Sequence, residues 1–114
     1  MIIGVGVDLV EISRFKELRL NDNFITRIFS HSEKDLEVQS LAGRFAAREA
    51  LYKALPNKTL FNLRDIQIIN RIDGKPEFVF DNDLLKFFIS NNVHLTISHS
   101  SEIAIAMVII ESNA

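Results

Sequence analysis

Three places in this 114-residue sequence put chemically capable side chains where local structure gives them no evident work. The first is Asp8, which ends the alternating stretch Ile2-Ile3-Gly4-Val5-Gly6-Val7. That stretch reads as a strand, with Ile3, Val5, Val7 and Leu9 on one face and Ile2, Gly4, Gly6 and Asp8 on the other. The first face reads as core. A carboxylate is disfavoured in such a strand. Its plain reading is a solvated strand end. The functional reading is that Gly4 and Gly6 leave room for something bulky beside the carboxylate.

The second place is a helical stripe. At about 100° per residue, Ala42, Ala46, Glu49 and Lys53 share one narrow face, with Phe45 at its margin. The alanines clear space into which Glu49 and Lys53 project. The plain reading is an i,i+4 acid–base pair on a solvated helix, worth about 0.2–0.5 kcal/mol. Arg44 and Arg48 fall on adjacent faces, where solvation accounts for them equally well.

The third is Thr96-Ile97-Ser98-His99-Ser100, where hydroxyls and an imidazole gather as a strand enters a turn. Turn chemistry explains such a cluster. No base and orienting residue for a serine nucleophile can be named. His31, His94 and His99 lack the spacing of a helical zinc motif.

Carboxylates from two separate elements, in a chain without Cys, suit a hard, oxygen-ligated ion, Mg²⁺ before Zn²⁺. Such an ion takes one or two protein carboxylates and fills its shell with water and phosphate oxygens. Two carboxylates plus a diphosphate exceed its charge, so a cation such as Lys53 is needed nearby. From the residues alone this is a phosphate-handling domain of unspecified reaction.

The elements that must hold these groups follow from periodicity. After the first strand, Ile12, Phe15 and Leu18 predict a helix, and Asn21-Asp22-Asn23 breaks it. Phe24, Ile25, Ile28 and Phe29 predict a second helix. Ser30 and Glu33 have capping-box spacing and predict a third, long helix from about Ser32 to Leu55, stopped by Pro56. Period-two patterning returns at Ile66, Ile68, Ile69 and Ile72, then Asp73-Gly74 marks a hairpin turn before Phe78 and Phe80. Pro76 favours an edge or irregular position. Asp81 is positioned to cap a helix carrying Leu84, Leu85, Phe88 and Ile89. Residues 93–98 alternate, and Ile103 to Ile110 reads as a last, buried strand. The expected fold is α+β, with antiparallel hairpins packed against the long helix.

Composition bounds the rest. The length fits a single domain, 1–114, which should bury roughly 65% of the surface its unfolded chain exposes. The absence of Cys excludes disulfides and thiolate metal sites. A net charge of −2 with mixed signs offers no basic block for nucleic acid. The N-terminus lacks the basic region of a signal peptide, and the apolar run Ile103–Ile110 is too short to span a bilayer. The expectation is a cytoplasmic protein with neither a nucleic-acid nor a membrane partner.

Four motifs, in order, are recognisable together: Gly6-Val7-Asp8-Leu9-Val10-Glu11-Ile12 with Arg14; Gly43-Arg44-Phe45-Ala46-Ala47-Arg48-Glu49-Ala50 with Lys53-Ala54; Gly74-Lys75-Pro76; and Ile97-Ser98-His99-Ser100. With them the chain resembles, over almost its whole length, the holo-acyl-carrier-protein synthases, the short single-domain branch of the 4′-phosphopantetheinyl transferases. Each motif alone is weak; four in order are specific.

The resemblance implies Mg²⁺-dependent transfer of the 4′-phosphopantetheine arm of coenzyme A to a serine of apo-acyl carrier protein, releasing adenosine 3′,5′-bisphosphate. It implies Asp8 and Glu49 as metal ligands, Lys53 beside the phosphates, and Glu49 as candidate base for the serine proton. Gly74, Lys75, Pro76, Ser98, His99 and Ser100 match the segments that hold the nucleotide end. Arg14 and Arg27 match the basic side chains that meet the acidic carrier protein. It also implies a homotrimer with active sites at subunit interfaces. Two features depart from the family pattern: the segment before Leu41 is shorter, and Leu55-Pro56-Asn57-Lys58-Thr59 stands where relatives commonly place glycine. The competing readings are a non-catalytic nucleotide-binding module and a Mg²⁺-dependent phosphohydrolase.

Overall fold

Strand β1, Ile2–Glu11, runs directly into helix α1, Ile12–Leu18, in the computed structural model, which describes residues 1–113. Helix α2 spans Asp22–Ile28 and begins where Asn21 accepts a hydrogen bond from the Phe24 amide at 3.1 Å. Helix α3 follows at Val38–Ala54. Strands β2, Ile66–Asn70, and β3, Pro76–Phe80, form an antiparallel hairpin. Helix α4, Asn82–Ile89, leads to β4, Asn91–His99, and β5, Ile103–Ser112. The order of strands and helices matches the expectation, and the architecture is α+β.

The strands form two sheets, one of order β1-β5-β4 and the other the β2–β3 hairpin. Helix α3 lies across the larger sheet, and its buried face (Ala46, Ala47, Ala50, Leu51 and Ala54) meets Ala106, Val108 and Ile110 of β5. A second apolar cluster, centred on Phe15, Phe29 and Leu41, joins α1 and α2 to the start of α3.

Gly4 and Gly6 explain how close α3 comes. A Cβ on Gly4 would lie 1.8 Å from the Ala54 carbonyl oxygen, and one on Gly6 1.9 Å from that of Ala50. Two strand residues rise about 6.8 Å and four helical residues about 6 Å, so helix and strand stay in step as they run in opposite directions. This corrects the reading of β1. The glycine face is not empty space beside a carboxylate; the backbone of α3 fills it. Its opposite face, taken from alternation as core, leaves Val5, Val7 and Leu9 at least half exposed, and only Ile3 packs against the core.

Strand β5 is likewise buried on one face only, because Ile103, Ile105 and Met107 point away from α3. The capping box of Ser30 and Glu33 forms, but it closes one 3-10 turn, His31–Glu33, and α3 begins five residues after it. Strand β2 stops at Asn70, leaving Ile72 in the fully exposed turn where Gly74 takes φ +86°. Asp81 stands at the start of α4 without making a side-chain cap. Pro76 opens β3, where its missing N–H is tolerated. No helix among the described residues is long and apolar enough to cross a membrane.

Candidate active site

The docking of α3 on the two glycines decides what surrounds Asp8. Asp8 is the next residue after Gly6 on the helix-facing side of β1, so its carboxylate meets the polar edge of α3. Lys53, from the last turn of α3, donates to Asp8 Oδ1 at 3.0 Å and to the Val7 carbonyl oxygen at 3.0 Å. The ordinary i,i+4 pair between Glu49 and Lys53 does not form; Lys53 reaches the strand instead.

Glu49 is half-buried and accepts no hydrogen bond from the described residues. Burial pushes its carboxyl above the ordinary value of 4.5, the neighbouring Asp8 charge pushes it further, and Lys53 only partly offsets both. Asp8 and Glu49 therefore share one site with more negative charge than Lys53 neutralises. Both line a cleft of about 420 Å³ whose walls include Phe15, Leu18 and Phe45, with Arg14 beside the carboxylates. An apolar wall with a few convergent charges is the usual form of a small-molecule site.

This donor set fits a hard divalent cation. All its donors are carboxylate oxygens, and their mutual repulsion asks for added positive charge. Among the described residues no three His, Cys, Asp or Glu side chains gather as a metal cluster, so a cation at Asp8 and Glu49 would draw the rest of its shell from water or substrate. Mg²⁺ is commonly held in that way.

The other sequence-expected residues lie apart. Gly74 and Lys75 are exposed at the tip of the β2–β3 hairpin and do not line the Asp8 cleft. His99 pairs with Ala104, which also pairs with Val10, so it shares the face of Asp8 two strands away, about 10 Å across the sheet. Ser98 projects from the opposite face with Ile105 and Leu9. Ser100 does turn work, its Oγ accepting from the amides of Glu102 at 3.2 Å and Ile103 at 3.3 Å. Arg27 is exposed at the end of α2, by a shallow depression it shares with Phe61 and Arg64.

Arg44 and Arg48 are not solvated. Both are buried against Glu33, with Arg48 Nη2 2.6 Å from Oε1 and Arg44 Nη1 3.3 Å from Oε2. Arg44 also donates to the Ile68 carbonyl, tying α3 to the hairpin. Burial alone would push the Glu33 carboxyl up, but the hydrogen bond and charge of Arg48, helped by Ser30, hold it below its ordinary 4.5. Sequence reasoning saw Glu33 only as a cap. The capping spacing was the available signal, and nothing local places it over Arg44 and Arg48.

Comparison with known proteins agrees with this architecture. Residues 4–108 match the 4′-phosphopantetheinyl transferase superfamily model. The chain is 42% identical to a holo-[acyl-carrier-protein] synthase of Geobacillus sp. (strain WCH70), over 97% of this chain and 98% of the relative. Its fold matches the crystal structure of holo-[acyl-carrier-protein] synthase from Neisseria meningitidis with a TM-score of 0.84 at 30% identity, covering 98% of this chain and 100% of that one. It also matches the Bacillus anthracis str. Ames synthase in complex with CoA (3′,5′-ADP), with a TM-score of 0.81 at 35% identity and 98% of both chains covered. With a family match across nearly all of its length and synthase relatives of equal extent, the chain belongs to the 4′-phosphopantetheinyl transferase superfamily, in its holo-[acyl-carrier-protein] synthase branch, and is an enzyme.

Proposed function

We propose that this chain, acting as one domain over 1–114, transfers the 4′-phosphopantetheine arm of coenzyme A to a serine hydroxyl of an apo-acyl carrier protein. The observation that carries the reading is that Asp8, Glu49 and Arg14 line one cleft while Lys53 bonds to Asp8. Asp8 and Glu49 would hold Mg²⁺, which when bound would neutralise charge on the diphosphate.

The serine oxygen attacks the phosphorus that carries the pantetheine arm, and the bond from that phosphorus to the bridging oxygen breaks. Adenosine 3′,5′-bisphosphate leaves with the bonding electrons. Glu49, the carboxylate in this cleft that makes no hydrogen bond to the described residues, takes the serine proton. Lys53, a compact cation on a flexible stem, stabilises charge on the departing phosphate. Arg14 and Arg27 draw in the acidic carrier protein by local sign, although the chain as a whole is acidic.

Gly74, Lys75, Pro76, Ser98, His99 and Ser100 hold the nucleotide end. Because the hairpin tip does not line the Asp8 cleft of its own chain, the proposal includes a homotrimer in which a neighbouring copy supplies part of this subsite. The outward face of the larger sheet supports assembly: Val5, Val7, Leu9, Ile103, Ile105 and Met107 form one exposed apolar surface. Contiguous surfaces of that kind mark interaction sites.

The test is intact-protein mass spectrometry of an apo-acyl carrier protein incubated with this chain, coenzyme A and Mg²⁺. The expected result is a gain of one phosphopantetheine that chelator prevents. Coenzyme A binding without any gain, across several carriers, would leave a nucleotide-binding module. Cleavage of coenzyme A with no carrier present would mean a phosphohydrolase.

A further inference from the structure

The Lys53 ammonium is where a divalent cation would have to act. It donates to Asp8 Oδ1 at 3.0 Å and is anchored from behind by the Val7 carbonyl at 3.0 Å. Mg²⁺ binds its ligand oxygens at about 2.0–2.1 Å, so on that carboxylate it would lie close to the ammonium. Like charges cannot hold that arrangement cheaply in a half-closed site.

We infer that Lys53 is a resident cation of the Asp8–Glu49 site: it occupies Asp8 in the free protein, gives that carboxylate up to the divalent ion, and passes to the diphosphate of the substrate. The inference rests on the reading of Asp8 and Glu49 as metal ligands. Two features carry it. Lys53 bonds to Asp8 across 45 residues although Glu49 lies one helical turn away, so the contact belongs to the site and not to the helix surface. Its side chain is 52% exposed while that of Asp8 is 18% exposed, so the ammonium has solvent beside it into which it can withdraw and the carboxylate has little. A pair with one partner that open is weak, and a divalent ion displaces it readily.

A consequence follows by linkage. Diphosphate that draws Lys53 away frees Asp8 for the ion, and the ion that displaces Lys53 frees it for diphosphate. Each ligand therefore raises the affinity of the other.

Mn²⁺ binding, followed by electron paramagnetic resonance of the free ion, tests this in the full chain without carrier protein. Lys53→Met removes an exposed ammonium and leaves the core intact. In the absence of coenzyme A, Lys53→Met should bind Mn²⁺ about threefold tighter than wild type. Saturating coenzyme A should tighten Mn²⁺ binding to wild type by about fivefold or more, and to Lys53→Met by a smaller factor, the remainder being what the diphosphate itself gives the ion. Arg14→Ala removes a cation from the same cleft that makes no ion pair with Asp8, and it should leave the coenzyme-free affinity nearly unchanged.

Unchanged or weaker Mn²⁺ binding by coenzyme-free Lys53→Met would overturn the inference. So would an equal gain in Arg14→Ala, since that would be a field effect and not an exchange. Asp8→Asn separates the two levels of the argument. If it binds Mn²⁺ as wild type does, the ligand reading fails and the exchange with it. If it loses Mn²⁺ while Lys53→Met gains nothing, the exchange alone fails.

Discussion

Arg48 and Glu49 are adjacent on α3 and sit in opposite surroundings. Arg48 points into a dry cluster in which two guanidinium groups face the one carboxylate of Glu33, and backbone carbonyls take further donors. Phe29 covers it, with its ring centroid 5.2 Å from the Arg48 guanidinium carbon. Glu49 lines an open cleft with Asp8, and the Lys53 ammonium pairs with Asp8 and not with Glu49. The first cluster is nearly complete; only Arg48 Nε lacks a partner. The second is short of positive charge and open to receive it.

The difference separates charge that holds a fold from charge that binds. A buried pair that has lost its hydration is costly to disturb, because removing one partner strands the other. A half-exposed, charge-poor pair contributes little to stability and has much to gain from a cation or phosphate. Helix α3 carries both because adjacent helical residues diverge by about 100°.

The largest effects should come from cutting each cluster once. Glu49→Gln should reduce phosphopantetheine transfer by at least about 100-fold with its thermal midpoint unchanged or slightly raised. Glu33→Gln should do the reverse, costing about 3 kcal/mol or more of stability because two buried guanidinium groups lose their counter-charge. Calorimetry of both variants beside the mass-spectrometric assay reads this directly. Equal loss of stability in the two would erase the distinction.

A smaller effect should come from the glycine seam. Gly6→Ala forces the α3 backbone away from β1, since the new Cβ would meet the Ala50 carbonyl. Stability should fall by about 1–3 kcal/mol. Transfer should fall further, on the order of 100-fold, because Asp8 and Glu49 sit on opposite sides of that seam and catalytic geometry tolerates about 1 Å. The Glu33 cluster does not bridge to β1 and should survive, which the acid behaviour of the variant can report.

The smallest effect is in pH, and it has opposite signs in the two clusters. The Glu33 carboxyl is held below 4.5, so its stabilising effect is full above the unfolded value and lost as pH falls through the folded one. The Glu49 carboxyl is raised above 4.5, so its contribution is full below the unfolded value and lost as pH rises through the folded one. Between pH 6 and pH 3 the thermal midpoint of wild type should fall more steeply than that of Glu33→Gln. It should fall less steeply than that of Glu49→Gln. Parallel curves for all three would break the comparison.

Much of this was legible without the structure, and the exceptions share a cause. The Asp73-Gly74 turn and the helical spacing of Ile12, Phe15 and Leu18 depend on neighbours in sequence and appear where expected. Of the expected break at Asn21-Asp22-Asn23 only Asn21 lies outside a helix, because it caps α2 and the next two residues enter it. The capping box was read correctly as local chemistry, but its length of helix was not, because one satisfied cap does not say how far a helix continues. Alternation alone reads Val5, Val7 and Leu9 as core, because it gives two faces without saying which one a helix covers. Nothing local decides whether Arg44 and Arg48 are buried, because their partner, Glu33, comes from a separate turn.

The sequence by itself determined the family, the order of the elements and the identity of the groups able to do chemistry at Asp8, Glu49 and Lys53. Those follow from residue type and from periodicities only a few residues long. The tertiary structure alone decided that α3 fills the glycine face of β1, that Lys53 holds Asp8 and not Glu49, and that Arg48 is buried while its neighbour Glu49 is not. Those facts depend on how closely two backbones approach and which charges are then shut away from water, and both are set by contacts between residues more than ten positions apart.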